Sequence, residues 1–203
     1  MKFYSEVIFP KYFDWVLGHQ GFEQCRENLL EHVRGQILEL GIGTGLNLPH
    51  YPLWVKNISA IEPNAGMREK LWEKMRASRV EVDCRSGVAE HLPYPDRSFD
   101  TIVSTFTLCT IVDVQRALCE IRRVLKPGGQ FIFLEHGLSL NRNVARAQRL
   151  LNPLQNIIGC GCKLTVDVKK ELQLAGFKTR DLEINYVGTG PRVLGNTYRG
   201  SAF

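Results

Sequence analysis

The sequence lacks long hydrophobic stretches, and this absence limits where the protein can reside. No apolar run approaches the ~20 residues that a helix needs to span a bilayer. The opening residues, Met1-Lys2-Phe3, are not followed by the long apolar core that a secretory signal peptide requires. We therefore expect a cytoplasmic protein whose six cysteines are free thiols.

Paired cysteine motifs and blocks of like charge are also missing. No two cysteines have CxxC spacing, and the closest pair, Cys160 and Cys162, is spaced more tightly than the ligand pairs of tetrahedral zinc sites. We therefore expect no metal site. The net charge is +5, with the excess of Lys and Arg in the C-terminal half, but no five like charges stand together. The basic C-terminal half favours contact with anionic surfaces or substrates. Because no block of like charges is present, we expect no nucleic-acid partner.

The remaining composition is that of an ordinary globular protein. With 203 residues, of which 44% are hydrophobic and 23% charged, the chain favours one domain, alone or with a helical appendage. Residues 2–33 carry apolar side chains at helical spacing, interrupted at Pro10 and Gly18, which predicts two short helices. We divide the chain into an N-terminal helical segment that serves as a lid, 1–34, and a main domain, 35–203.

Aromatic residues crowd the start of the chain, and two interpretations of them stay open. Either they pack a helix against the main domain, or they form a lid over a substrate pocket that also contacts a membrane surface. The six aromatic residues in the first fifteen positions are Phe3, Tyr4, Phe9, Tyr12, Phe13 and Trp15.

From Gly35 onward the hydrophobic pattern alternates between strands and helices. The predicted strands cover 36–40, 57–61, 80–84, 100–104, 130–135 and 180–186, and a last strand ends near Phe203. The predicted helices cover 65–75, 114–125 and 168–175. This alternation predicts an α/β fold: a Rossmann-like, doubly wound, mostly parallel seven-stranded sheet with helices on both faces.

In such sheets the ligand binds beyond the carboxyl ends of the strands, which directs attention to the glycines after the first strand. Gly41, Gly43 and Gly45 allow a tight turn and the close approach of a ligand to the backbone. A dinucleotide fingerprint would place its third glycine at position 46, where this chain has Leu46. The spacing therefore argues against a nicotinamide-dependent oxidoreductase.

Two carboxylates accompany the glycine turn. Glu62 ends the second predicted strand, where a carboxylate can accept hydrogen bonds from a ribose diol. Glu39 adds negative charge beside the turn, and both charges would repel a diphosphate. Together they indicate a nucleoside ligand with a cationic tail.

With these features the chain resembles the class I S-adenosylmethionine-dependent methyltransferases. The segments that carry the resemblance are 39–45, Glu62, 87–93, 98–100 and 125–129, in the order of the family. The resemblance implies S-adenosyl-L-methionine as cofactor, with its methionine part held by the 41–45 turn and its ribose by Glu62.

The resemblance also implies roles for residues after the third and fourth strands. Val88, Ala89 and Glu90 would border the adenine, and Ser104 and Thr105 would face the methyl donor. Many relatives have an acid at the position of Val88, which accepts a hydrogen bond from the adenine amine. Here backbone groups or Glu90 must replace it.

A closer resemblance extends to the alkyl-thiol S-methyltransferases of the methyltransferase-like group. It rests on 107–109, 125–129, 135–136 and 161–165. The quinone C-methyltransferases and the bacterial phospholipid N-methyltransferases match the 135–165 stretch less well. The resemblance favours methylation of a small, partly apolar thiol. A quinol, phosphatidylethanolamine, or a non-catalytic protein that binds adenosylmethionine are the alternatives.

His136 is the candidate catalytic residue. It ends the fifth predicted strand, and a histidine there can act as a base because its ordinary pKa lies near neutral pH. The alternative is a histidine that only fixes a neighbouring loop. Cys109 and Cys162 are either pocket residues or small core residues.

The expected partners follow from these interpretations. We expect a small-molecule acceptor, a monomer or weak dimer, and a peripheral membrane contact only if the aromatic N-terminus provides one. Arg142, Arg146 and Arg149 lie at helical spacing, and we interpret them as a solvated face in preference to an anion site.

Overall fold

The computed structural model describes residues 2–187 and 190–203, so Met1, the first residue of the predicted lid, and the 188–189 part of the predicted main domain lie outside the described residues. The seven strands are β1 (Ile37–Leu40), β2 (Asn57–Ile61), β3 (Glu81–Arg85), β4 (Phe99–Thr105), β5 (Leu125–His136), β6 (Thr179–Tyr186) and β7 (Asn196–Ala202). The α-helices are α1 (Phe9–Leu17), α2 (Gln20–Leu30), α3 (Ala65–Met75), α4 (Val114–Val124), α5 (Arg142–Ile158) and α6 (Val168–Leu174). A π-helical turn, Tyr4–Ile8, precedes α1, and a short 3₁₀ turn spans Leu48–His50.

The strands form one sheet in the order β3-β2-β1-β4-β5-β7-β6. Strands β1 to β5 pair in parallel, and β7 runs antiparallel between β5 and β6. The strand order reverses between β1 and β4, and ligands bind at that point in open α/β sheets. The predicted doubly wound fold is confirmed.

Helices cover both faces of the sheet because its central strands are apolar on both sides. In β5, Phe131 and Phe133 pack into one core together with residues of α4 and α6. Their neighbours Ile132 and Leu134 point the other way, into a second core with residues of α2 and α3. Alternate residues of a strand face opposite sides, so a continuous apolar run predicts burial on both faces.

Most predicted boundaries agree with the structure to within one residue. The exception is the start of the predicted strand 130–135, because β5 begins five residues earlier, at Leu125, directly after α4. A bulge between Phe99 and Thr101 lets β5 begin before the glycines at 128–129. Helix α4 therefore ends before Pro127. This is expected, because a residue that precedes a proline prefers an extended backbone.

The two N-terminal helices have different surroundings. Helix α2 buries Phe22, Leu29 and Leu30 against the sheet, whereas α1 buries only Pro10. Among the described residues, no helix combines the length and the apolar character that crossing a bilayer requires.

Candidate functional site

A cavity of about 410 Å³ opens at the carboxyl ends of the parallel strands. Its walls come from the turn after β1, from residues 61–64, from residues 87–90 after β3 and from the 106–112 loop after β4. The rest of the lining comes from Phe9 and Phe13 of α1, Met67 of α3, and Cys160. The volume is in the range of small-molecule sites, and the position is the one predicted from the strand order.

The turn after β1 requires glycine. Gly41, Gly43 and Gly45 have φ angles of +60°, +59° and +84°, a region that residues with a side chain seldom occupy. A Cβ on Gly43 would lie 3.5 Å from the ring of Phe13, inside the cavity. A Cβ on Gly45 would instead lie 2.8 Å from Leu71, so this glycine serves packing and does not line the cavity.

Glu62 lies at the floor of the cavity and is held by backbone groups. Its Oε2 accepts a hydrogen bond from the Gly43 N–H at 2.9 Å, and its Oε1 accepts one from the Asn64 N–H at 2.8 Å. Burial raises the pKa of this carboxyl group, and the two N–H donors oppose the rise. Each oxygen keeps a lone pair for a further donor, which is what binding a ribose diol requires.

Glu39 lies beneath the glycine turn and not in the cavity. Its Oε2 accepts from the Tyr51 hydroxyl at 2.7 Å, and its Oε1 accepts from Asn47 Nδ2 at 2.7 Å. Complete burial raises the pKa of Glu39 to about 7. The same Asn47 amide donates to Thr105 Oγ1 at 3.0 Å, so Thr105 also belongs to this buried network.

A third buried carboxylate, Glu135, holds the loop after β4. It accepts hydrogen bonds from the Ser104 hydroxyl at 2.6 Å and from the backbone N–H groups of Thr107 and Leu108 at 3.1 and 3.0 Å. Burial raises its pKa to about 7. The predicted contact of Ser104 and Thr105 with a bound ligand is therefore not supported by this geometry, because both hydroxyls face buried partners outside the cavity.

The turn after β3 contributes the other predicted residues to the cavity. Val88, Ala89 and Glu90 all line it, Val88 being 46% exposed and Ala89 buried. The Glu90 carboxylate accepts from the backbone N–H groups of Val112 and Asp113 at 3.2 and 3.3 Å. It therefore bridges the turn after β3 to the loop after β4.

The structure places His136 away from the cavity. It is buried at the end of β5, with Nδ1 3.8 Å from Cys162 Sγ, and Cys162 Sγ lies 3.5 Å from Cys109 Sγ. The thiol of Cys109 and the imidazole of His136 lower the pKa of Cys162. None of the three lines the cavity, so the predicted role of His136 as a base is not supported by its position.

Several cavity residues escaped the sequence analysis. One wall of the cavity consists of Phe106, Thr107, Thr110, Ile111 and Val112, and Phe106 has a φ of +54°. A non-glycine residue in this region indicates strain, which concentrates at functional sites, but strain cannot be read from the sequence. No sequence pattern pointed to Cys160, whereas the aromatic cluster at the N-terminus did indicate Phe9 and Phe13.

Hydrogen bonds and one ion pair hold the N-terminal segment across the cavity. Asn64 Nδ2 donates to the Ser5 carbonyl at 2.9 Å, and the Tyr4 hydroxyl donates to the Ile158 carbonyl at 2.7 Å. The Thr44 hydroxyl donates to Asp14, which also pairs with Lys74 at 3.0 Å. These contacts connect the segment to the glycine turn, to the start of α3 and to the end of α5.

Comparisons with known proteins identify the family of this chain. A methyltransferase domain family matches residues 38–133. The chain is 31% identical to thiol S-methyltransferase TMT1B of Homo sapiens over 95% of this chain and 83% of the relative. It is 30% identical to a phosphatidylethanolamine N-methyltransferase of Cereibacter sphaeroides over 76% of this chain and 80% of the relative.

The fold has close counterparts among solved structures. A SAM-dependent methyltransferase of Thermotoga maritima superposes with a TM-score of 0.67, covering 98% of this chain and 96% of the other at 23% identity. At this identity the likeness shows the fold.

Proposed function

Because the chain belongs to the class I S-adenosylmethionine-dependent methyltransferases, we propose that it transfers the methyl group to the sulfur of a small, partly apolar thiol. S-adenosylmethionine supplies a methyl group on a sulfonium centre, so the transfer needs an aligned nucleophile more than it needs covalent help from the protein.

The residues of the cavity fit this cofactor. Glu62 offers two backbone-held oxygens to a ribose diol, and Gly43 leaves space where any side chain would project into the cavity. The turn at 87–90 would border the adenine. We call these three groups the donor side. The acceptor side is then the 106–112 loop with Phe9, Phe13 and Cys160.

One observation supports a thiol in particular. Among the described residues, the cavity lining includes no lysine, arginine or histidine. A thiol ionises at a pKa of about 8.5 in water, so a useful fraction of it is already thiolate near neutral pH without a protein base. The rest of such a molecule would contact an apolar wall, which consists of Phe9, Phe13, Phe106, Ile111 and Val112.

The same observation disfavours the other acceptors. The phosphodiester of phosphatidylethanolamine would find no cationic side chain in this lining, and a quinol, whose hydroxyl ionises near pH 10 like that of tyrosine, would need a base. The similarity to thiol S-methyltransferase TMT1B, which extends over 95% of the chain, points to the same acceptor class.

The test uses acceptors that differ in class and in acidity. Labelled S-adenosylmethionine is supplied with a series of alkyl and aryl thiols, with a reduced quinone and with phosphatidylethanolamine. We expect label in the thiols, with the inflection of kcat/KM against pH moving with the pKa of each thiol. An inflection that stays at one pH for all thiols would indicate a protein base. Methylation of the quinol or the aminolipid alone would overturn the proposal.

A further inference from the structure

Two exposed helical faces next to the cavity are apolar. In the N-terminal segment the outward residues include Phe3, Val7, Ile8 and Trp15, with Phe3 and Trp15 each 70% exposed. In α5 they are Leu150, Leu154 and Ile157, exposed by 81%, 57% and 68%. The α5 residues recur at intervals of four and three, so they form one stripe along the helix. We call the two faces together the α1–α5 surface.

The two faces are neighbours and border the cavity. The hydrogen bond from the Tyr4 hydroxyl to the Ile158 carbonyl joins the N-terminal segment to the last residue of α5. Phe9 and Phe13, on the inner side of α1, line the cavity, and so does Cys160, two residues beyond α5. A partner bound to the α1–α5 surface would therefore lie beside the acceptor side.

The exposed charges on these faces have one sign. Lys2 and Lys11 are exposed on the N-terminal segment, and Arg142, Arg146 and Arg149 are exposed on α5. Helix α5 contains no Asp or Glu. The acids of residues 2–17, Glu6 and Asp14, are only partly exposed, and Asp14 is paired with Lys74.

We propose that the α1–α5 surface docks the enzyme on an anionic lipid bilayer, with the apolar residues in the headgroup region and the basic residues against lipid phosphates and carboxylates. Amphipathic helices with large apolar residues and Lys or Arg bind membranes in this way. A symmetric dimer through this surface would instead place the same basic residues against each other without acids to pair them. The proposal does not depend on which acceptor the enzyme methylates.

The test is co-sedimentation of the whole protein with lipid vesicles, without donor or acceptor. One set of vesicles is phosphatidylcholine alone, and the other is phosphatidylcholine with phosphatidylserine at roughly 3:1. We expect binding to the anionic vesicles that weakens as salt is raised. Replacing Arg142, Arg146 and Arg149 by Gln should weaken it on the order of 100-fold, since each basic residue near such a surface contributes about fivefold.

The apolar stripe is tested with a matched control. The triple variant Leu150→Ser, Leu154→Ser, Ile157→Ser should lose binding to the anionic vesicles. The control replaces Leu53 and Trp54 by Ser, because these residues are 74% and 65% exposed and precede β2, at the amino ends of the parallel strands. The control should bind vesicles like the unmodified protein, and both variants should keep their affinity for S-adenosylmethionine, which shows that they are folded.

Three results would overturn the proposal. The first is no binding to either vesicle. The second is equal loss of binding in the control and in the α5 variant. The third is a stable dimer of the unmodified protein that the α5 variant converts to monomer. Because none of these measurements uses methyl transfer, they are independent of the test for a thiol acceptor.

Discussion

The donor side and the acceptor side of one cavity are held in different ways. On the donor side, the Glu62 carboxylate bonds to the backbone N–H groups of Gly43 and Asn64, and all three lie within 22 residues of one another in the chain. On the acceptor side, the 106–112 loop, the rings of α1 and Cys160 come from three distant parts of the chain. Buried Glu135 fixes only the start of that loop, through Thr107 and Leu108.

This difference indicates which side tolerates change. A site made from backbone geometry permits few substitutions, since a turn with positive φ angles and a buried carboxylate both have narrow requirements. A site walled by side chains from separate elements can exchange those side chains and accept a new substrate. The following predictions test this contrast, beginning with the largest expected effect.

The largest effect should come from Gly43→Val. The new side chain would have to adopt a φ near +59° and would project toward Phe13, within the space that the donor needs. We expect the Kd for S-adenosylmethionine, measured by calorimetry, to rise by at least about 100-fold. Gly128→Val is the matched control, because Gly128 also has a positive φ but a Cβ there meets nothing within 4 Å. Equal affinities in the two variants would contradict the donor assignment.

Glu62→Ala should weaken donor binding by about 1.5–3 kcal/mol, the usual value of hydrogen bonds to a charged group. Burial raises the pKa of Glu62, so its charged form, the stronger acceptor, is lost on acidification at a higher pH than for an exposed glutamate. Donor affinity of the unmodified protein should therefore fall as the pH is lowered. The Glu62→Gln variant should bind the donor more weakly than the unmodified protein, and its affinity should no longer depend on pH in this range. If the pH dependence persists in this variant, another group is responsible for it.

Changes in the N-terminal segment should affect both the donor side and the acceptor side by a smaller amount. From the sequence, loss of the aromatic N-terminus is expected to raise the acceptor KM and leave donor affinity nearly intact. The structure changes this expectation, since Phe13 lies close to Gly43 and Asp14 bonds to Thr44. Phe13→Ala should raise the acceptor KM by about tenfold, the loss expected for a partly buried ring, and should also weaken the donor. Trp15→Ala, on the exposed face of the same helix, should change neither constant.

The smallest effect on turnover should come from His136→Gln. His136 faces Cys162 outside the cavity, so we expect the kcat of the variant to stay within about threefold of the unmodified value across pH 6.5–8.5. Loss of a general base would instead lower kcat by ~10²–10⁴-fold. The change should instead raise the pKa of Cys162, since the imidazole lowers it. Slower labelling of Cys162 by iodoacetamide at pH 6.5, followed by mass spectrometry, would show this. A large loss of kcat that is rescued at high pH would restore His136 as the base.

The sequence by itself determined the fold and the local geometry of the glycine turn and Glu62. Strands β1, β2 and β4 and the second half of β5 carry short apolar runs, and β3 alternates. Helices α3 and α4 have clear starts, because Asn64 and Asp113 cap them through their own side chains. The turn at 41–45 and the position of Glu62 beside it were predictable because both depend on local backbone requirements. A glycine with a positive φ, or an acid at the end of a strand, leaves a signal at its own position.

Only the tertiary structure decided the acceptor side and its surroundings. It directed Ser104 to Glu135 and Thr105 to Asn47, although both residues end a strand that leads to the cavity. It also removed His136 from the cavity and placed Cys160 there. The physical reason is that a side chain at the end of a strand can turn toward the cavity or into the core, and packing from distant segments fixes the choice. Such packing has no local pattern in the chain.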